Sequence, residues 1–267
     1  MRPQLTRYDM GPGVVAFSTT RHGGCSTGPY ASFNVNAYCG DDPEAVSRNR
    51  ALLGHELGLS PDRLLMPHQV HAARLALVDA PLLALSPTER AARLDGFDAL
   101  STALPGVCIG VSTADCIPIL LFDPDHRAVC AVHAGWRGTV ARIAEQSVRA
   151  MAERFATRPD RLRAVIGPGI SLRRFEVGDE VYDAFARAGF DMGPISCRQS
   201  KWHIDLPECN RRQLLAAGVP SASIALSGVC TYDHADDYFS ARRLGTSSGR
   251  IFTGIIIQPS NRLLSSP

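Results

Sequence analysis

Residues 105–138 read PGVCIGVSTADCIPILLFDPDHRAVCAVHAGWRG, and this stretch decides the fold. Three apolar runs, Gly106–Val111, Ile117–Phe122 and Ala128–His133, have the length of buried strands and are bounded by Ser, Thr, Asp and Pro. Beyond them Val140, Ile143, Ala144, Val148, Met151, Ala152 and Phe155 recur on one helical face, which predicts a helix over Arg137–Phe155. Asp123-Pro124-Asp125-His126 joins the second and third runs, with Pro at the second position of a type I turn. If Phe122 pairs with Arg127, Cys116 falls directly opposite His133, with Cβ atoms about 4.5–5.5 Å apart. A slip of one residue would put the two side chains on opposite faces.

Outward from this centre, Val14–Phe17 predicts a strand, and Arg21 to Gly40 is a Gly- and Asn-rich stretch too irregular for either period. Long ordered loops of this kind tend to be functional. Asp42-Pro43 caps a helix that carries Val46, Leu53 and Leu57 on one face and ends near Gly58. A strand at Ala164–Gly167, helices near Asp179–Ala188 and Pro207–Ala217, and a terminal strand at Ile251–Gln258 complete the pattern. Strands and helices intermix without regular βαβ alternation. The expected fold class is therefore α+β, a single domain over residues 1–267 with mixed β-sheets flanked by helices.

Composition narrows the function. With 45% hydrophobic and 20% charged residues, the chain lacks the signature of disorder. A net charge of +2 provides no field for a polyanion, so nucleic acid is not an expected partner. Lys201 is the single lysine among 28 Lys and Arg residues, so there is no Walker-A loop, and anion binding falls to arginine and backbone N–H groups. The N-terminus has no apolar signal core and no run approaches the ~20 residues that span a bilayer, so the expectation is a cytoplasmic protein without a membrane partner. The eight cysteines form no CxxC pair and are expected to be reduced.

Two chemistries fit Cys116 beside His133: a metal ion held between them, or a Cys116 nucleophile activated by His133. Asp115 interrupts an apolar stretch, where a carboxylate is costly unless it is paired or working. Gly135 and Gly138 flank Trp136-Arg137 at a strand-to-helix turn suited to an anion. A third metal ligand would come from His68 or His71, which point to opposite faces if their segment is extended. The residues alone do not choose between these.

Ser112-Thr113-Ala114-Asp115-Cys116-Ile117-Pro118 followed by Val132-His133-Ala134-Gly135-Trp136-Arg137-Gly138 resembles the core of the YfiH-type laccase-domain family. The likeness continues, in order, through Ser18-Thr19-Thr20-Arg21-His22-Gly23-Gly24, Gly40-Asp41-Asp42-Pro43, Gln69-Val70-His71, Phe175-Glu176-Val177-Gly178, Cys230-Thr231-Tyr232 and Phe239-Ser240-Ala241-Arg242-Arg243. Members of that family are described variously as polyphenol oxidases, purine nucleoside phosphorylases with adenosine deaminase activity, and peptidoglycan-editing factors. The resemblance implies that His71, Cys116 and His133 bind one zinc with an open position for catalysis. Two departures stand out: Ala72 where the family usually has Gly after Gln-Val-His, and Gly169 where it commonly has Cys in Gly-Pro-Cys-Ile-Gly.

The resemblance leads first to zinc-dependent phosphorolysis of purine nucleosides, with nucleoside and phosphate as small-molecule partners and a monomer or homodimer as the assembly. Arg21, Arg137 and Arg243 are candidate anion ligands, and Asn34 and Gln69 candidate contacts to ribose or base. For adenosine deamination Asp115 is the candidate proton carrier, or else a residue orienting a ligand histidine. A peptidoglycan-editing amidase, removing a misplaced serine from a cell-wall precursor, is the alternative. With 8 histidines and no His-X-His pair, four-copper oxidase chemistry is not expected, although Cu2+ replacing zinc at the Cys/His/His site could oxidise phenols weakly.

Overall fold

The computed structural model describes residues 2–259. Its centre is the hairpin of the Ile117–Asp123 and Ala128–Ala134 strands, in the register Ile117↔Ala134, Pro118↔His133 and Asp123↔Ala128. The ladder is shifted by two residues from the expected one. Asp123 stays in the strand, buried, and closes the turn itself: its Oδ1 accepts from the N–H groups of Asp125 and His126, while Arg127 takes a left-handed φ of 50°. A shift of two preserves faces, so Cys116, just beyond the strand end, remains on the same side as His133.

This hairpin lies in a six-stranded sheet, ordered Ile224–Leu226, Arg163–Ile166, Ile117–Asp123, Ala128–Ala134, Ala99–Thr102, Leu75–Leu77, with antiparallel pairing inside and parallel pairing at both edges. A five-stranded sheet, ordered Leu5–Tyr8, Val14–Thr19, Ile251–Ile257, Cys108–Thr113, Leu64–Leu65, packs against it. Alternation along the strands builds the layers. Ile119, Leu121, Cys130 and Val132 face the helices Ile143–Phe155, Asp179–Arg187 and Leu206–Ala216. Leu120, Phe122, Val129 and Ala131 face the opposite way, onto Ile109, Val111, Ile255 and Ile257 of the second sheet. That sheet's far face, with Phe17, Phe252 and Cys108, is covered by Leu53 of the Pro43–Leu57 helix. The α+β class with mixed sheets and flanking helices stands.

The helix expected over Arg137–Phe155 is two: Trp136–Val140 and Ile143–Phe155, broken at Arg142 with a φ of 59°. No helix breaker stands between them in sequence, so the interruption is tertiary. Gln213 Nε2 donates to the Thr139 carbonyl at 2.8 Å and Asn210 Nδ2 to the Thr139 hydroxyl at 3.1 Å, drawing that turn toward the Leu206–Ala216 helix. The Pro43–Leu57 helix matches expectation, with Asp42 accepting from Glu44 and Ala45 N–H groups and Gly58 closing the end in the left-handed region. None of the described helices is long and apolar enough to cross a membrane.

The irregular stretch from Arg21 to Gly40 is pinned by Asn49 of that helix. Its Oδ1 accepts from Cys25 N at 2.9 Å, and its Nδ2 reaches Ser26 Oγ, Ser32 O and Asn34 O. Asn49 is fully buried, so removing the amide strands several polar groups at once. Asn49→Ala is expected to lower unfolding free energy by roughly 2–4 kcal/mol in urea titrations. A loss within experimental error would show that the loop is held elsewhere.

Candidate metal centre

The chain crosses from the five-stranded to the six-stranded sheet at residues 114–116, between Thr113 and Ile117. Asp115 makes the corner, with a φ of 91°. Its carboxylate is held from three directions: Oδ1 accepts from the Thr231 and Ser240 hydroxyls and Oδ2 from Arg242 N, each at 2.7 Å. Those bonds fix the corner and thereby the start of the next residue, Cys116. The orienting of a ligand histidine, one of the two roles weighed for Asp115, is carried out by another carboxylate.

That carboxylate is Asp98, which the sequence reading missed. It is fully buried and precedes the Ala99–Thr102 strand. Oδ1 faces His133 Nδ1 at 2.7 Å and accepts from His71 N at 2.9 Å, and Oδ2 accepts from Ala72 N at 2.7 Å. His71 has a φ of 61°, a conformation costly for a residue with a side chain, and it wraps consecutive N–H groups around the carboxylate. The carbonyl of Asp98 also accepts from His133 N at 2.7 Å. One acidic residue thus sets the ring of His133 and the backbone of His71. Burial alone would raise the Asp98 carboxyl, but His133 and the two backbone donors hold it below the usual carboxylate range.

His71, Cys116 and His133 each offer a donor atom, all within 4.8 Å of one another. The Cys116 Sγ to His71 Nε2 distance is 3.7 Å, close to the roughly 3.6 Å between sulfur and nitrogen around tetrahedral zinc. Because Asp98 occupies His133 Nδ1, the Nε2 edge is left for a metal, the carboxylate–histidine arrangement that supports metal ligands. Gly135 keeps the space open: a Cβ there would lie 2.8 Å from His71 Cδ2 and 3.1 Å from Cys116 Sγ. The residues therefore fit a single metal ion with one thiolate and two imidazoles. Ala72, in place of the family's Gly, is tolerated because the left-handed residue is its neighbour His71. At Gly169, the space a side chain would need is filled by Ile117 Cδ1, 2.4 Å from a built Cβ, and Cys230 supplies a thiol nearby, 3.4 Å from Ser171 N.

The three ligand candidates line a cavity of ≈ 270 Å³, together with Asn36, Tyr38, Cys39, His68, Gln69, Ser112, Thr113, Ala114, Ala241, Thr246 and Arg250. His68 does reach this wall, because the segment is not extended; its Nδ1 is 2.6 Å from Asp95 and its ring stacks on Tyr38. Gln69 lines the cavity too, but both ends of its amide are bonded to the backbone of Ser112. The other four polar candidates do not line it. Arg21 donates to the carbonyls of Ala31 and Ala235, and fully buried Asn34 bonds Asn36, Asp41 and the backbone N–H of Arg250. Arg137 lies exposed over Trp136, and Arg243 reaches the carbonyl of Tyr232. The arginine at the cavity is Arg250, within Thr246-Ser247-Ser248-Gly249-Arg250, where nothing local distinguishes it from the chain's other arginines.

Burial would push the Cys116 thiol up, but His133 and His71 beside it bring it down to about 6. In metal-stripped protein Cys116 is a thiolate at neutral pH, balanced by a protonated His133 whose own pKa Cys116 and Asp98 raise against burial. Alkylation of Cys116 by iodoacetamide in stripped protein is expected to stay fast at pH 7 and to fall as pH drops through about 6. Quantitative peptide mass spectrometry reads this directly. A fall centred near the ~8.5 of an ordinary thiol would contradict the pairing.

The family described as multi-copper polyphenol oxidoreductase laccase matches residues 15–258. A purine nucleoside phosphorylase of Bacteroides thetaiotaomicron is 50% identical over 244 residues, covering 90% of both chains. Adenosine deaminase RL5, from an unknown prokaryotic organism, is 48% identical over 246 residues, covering 91% of this chain and 94% of its own. The crystal structure of YlmD from Geobacillus stearothermophilus superposes with a TM-score of 0.87 at 33% identity, covering 94% of each chain. The chain belongs to this laccase-like YfiH family.

Proposed function

We propose that this protein is a zinc-dependent purine nucleoside phosphorylase that also deaminates adenosine. The observation that carries the reading is the His71, Cys116 and His133 cluster, oriented by Asp98 and opening on a cavity of ≈ 270 Å³. Relatives named purine nucleoside phosphorylase and adenosine deaminase, each covered over nine-tenths of this chain, support it. One thiolate and two imidazoles with a position open to the cavity suit a catalytic zinc, and no methionine lines the cavity to serve as the axial ligand of a blue-copper site. A multi-copper oxidase uses several clusters of imidazoles, and the described residues hold one such three-donor group.

His71, Cys116 and His133 would hold the ion, which supplies Lewis-acid polarisation at the open position. The protein's part is positional and electrostatic. Asp98 holds His133 in the tautomer that presents Nε2 and fixes the backbone of His71, so the site needs little rearrangement. The cavity wall contains Arg250 and no carboxylate, so it favours an anionic co-substrate. Gln69, bonded on both sides to Ser112, keeps the segment carrying His71 against the Cys108–Thr113 strand. Asp115, with both oxygens engaged, holds the corner beside Cys116.

The test is metal analysis together with chromatography of adenosine reactions run with and without phosphate. The expected result is about one zinc per chain, phosphate-dependent release of adenine and ribose 1-phosphate, and formation of inosine. Cys116→Ala is expected to lose both metal and turnover, and Asp98→Asn to weaken metal affinity by about 10- to 100-fold. Metal-free protein without purine turnover would overturn the reading.

A further inference from the structure

Cleavage of a purine nucleoside needs a proton for the departing base, and most groups around the metal cavity are unable to give one. Asp115 has both oxygens engaged, and Asp98 spends its carboxylate on His133 Nδ1 and on backbone N–H groups. His71, Cys116 and His133 offer their donor atoms to the metal. Burial pushes up the Cys39 thiol and the Tyr38 phenol, and the guanidinium of Arg250 keeps its protons. Of the ionisable side chains lining the cavity, His68 is the one left. Imidazole is the side chain suited to give and regain a proton near neutral pH.

The fold fixes His68 more firmly than an imidazole with a 44% exposed side chain needs. Its carbonyl accepts from Gly96 N at 2.9 Å, beside a parallel bridge to Asp95. Its Nδ1 lies 2.6 Å from Asp95 Oδ1, and Tyr38 stacks on its ring with centroids 4.5 Å apart. Tyr38 is tied down in turn, its N–H donating to Asn36 Oδ1 while Asn36 Nδ2 donates to Ser112 Oγ. With its backbone, one ring face and one nitrogen held, the imidazole has little freedom left to lose when a substrate arrives. Asp95 takes the Nδ1 hydrogen in either protonation state, so the proton that comes and goes is the one on Nε2. Nε2 has no hydrogen-bond partner among the described residues, and it is the nitrogen the ring can present to the cavity.

We propose that His68 is the general acid that protonates the departing purine, with Asp95 as its positioning residue. The inference rests on the phosphorolytic reading and adds a residue to it. One oxygen of hydrogen phosphate bonds to C1′ of the nucleoside, the C1′–N9 bond breaks, and its electron pair leaves with the base. The Nε2 hydrogen of His68 passes to that base as it departs. The ribose 1-phosphate formed sheds the hydrogen that phosphate brought, and this returns the imidazole to its charged form, so the protons balance.

The experiment compares phosphorolysis of inosine and of 7-methylinosine by metal-loaded wild type, His68→Gln and Asp95→Asn, with kcat expressed per bound metal and KM measured separately. The base of 7-methylinosine is already cationic and leaves without a proton, so it bypasses a general acid. His68→Gln is expected to lower kcat for inosine about 100-fold or more, while kcat for 7-methylinosine stays within about threefold of wild type. Asp95→Asn is expected to lower kcat for inosine several-fold and again to spare the methylated substrate. A merely structural role would slow both substrates alike. Equal losses on the two substrates, or a kcat for inosine within about twofold of wild type in His68→Gln, would overturn the assignment and leave the phosphorylase reading standing. If wild type cleaves neither nucleoside in the presence of phosphate, the phosphorylase reading fails and the role of His68 falls with it.

Discussion

The site depends on one buried carboxylate. Asp98 is removed from water, where a carboxylate is stable only with a full set of donors, and it takes those donors from the two segments that must meet. The imidazole of His133 comes from a strand, and the N–H groups of His71 and Ala72 come from a loop 27 and 26 residues before Asp98. Satisfying Asp98 therefore orients the His133 imidazole and fixes the backbone of His71, whose imidazole lies beside Cys116. The left-handed backbone at His71 is the local strain this arrangement accepts, and the bonds it makes possible offset that strain.

The second constraint is the crossing between the sheets. The chain must leave one sheet after Thr113 and enter the other at Ile117, and the corner at Asp115 is clasped by Thr231, Ser240 and Arg242 from the far end of the sequence. The apolar interior between the sheets ends there, so the polar residues of the cavity occupy the mouth of a packed core. Gly135 completes the geometry by omission, since any side chain would press on His71 and Cys116. The result is a preorganised site in which His133 stands on a strand, His71 and Cys116 on the segments between strands, and the remaining cavity lining comes from strand ends and loops.

Much of this was readable from the residues. Alternation in residues 106–133 placed Cys116 and His133 on one face, and the two-residue error in register left that conclusion intact because a pleated strand repeats every two residues. The helix break at Arg142 was not readable, because its cause is the pair of amides on a helix some 70 residues later. Asp98 was not readable either. It sits in Gly96-Phe97-Asp98-Ala99, where nothing nearby marks it as buried, and only the pairing of the Ala99–Thr102 strand with Ala128–Ala134 brings it to His133. Arg21 and Asn34 illustrate the converse: polar residues in distinctive motifs that support the loop framework rather than line the cavity.

The account turns on a metal held by one sulfur and two imidazoles. X-ray absorption spectroscopy of the purified protein at the metal edge tests that most directly. The expected spectrum shows one sulfur at about 2.3 Å and two imidazole nitrogens at about 2.0 Å, with a light atom completing the shell. A first shell without sulfur, or with four protein ligands and no open position, would contradict it.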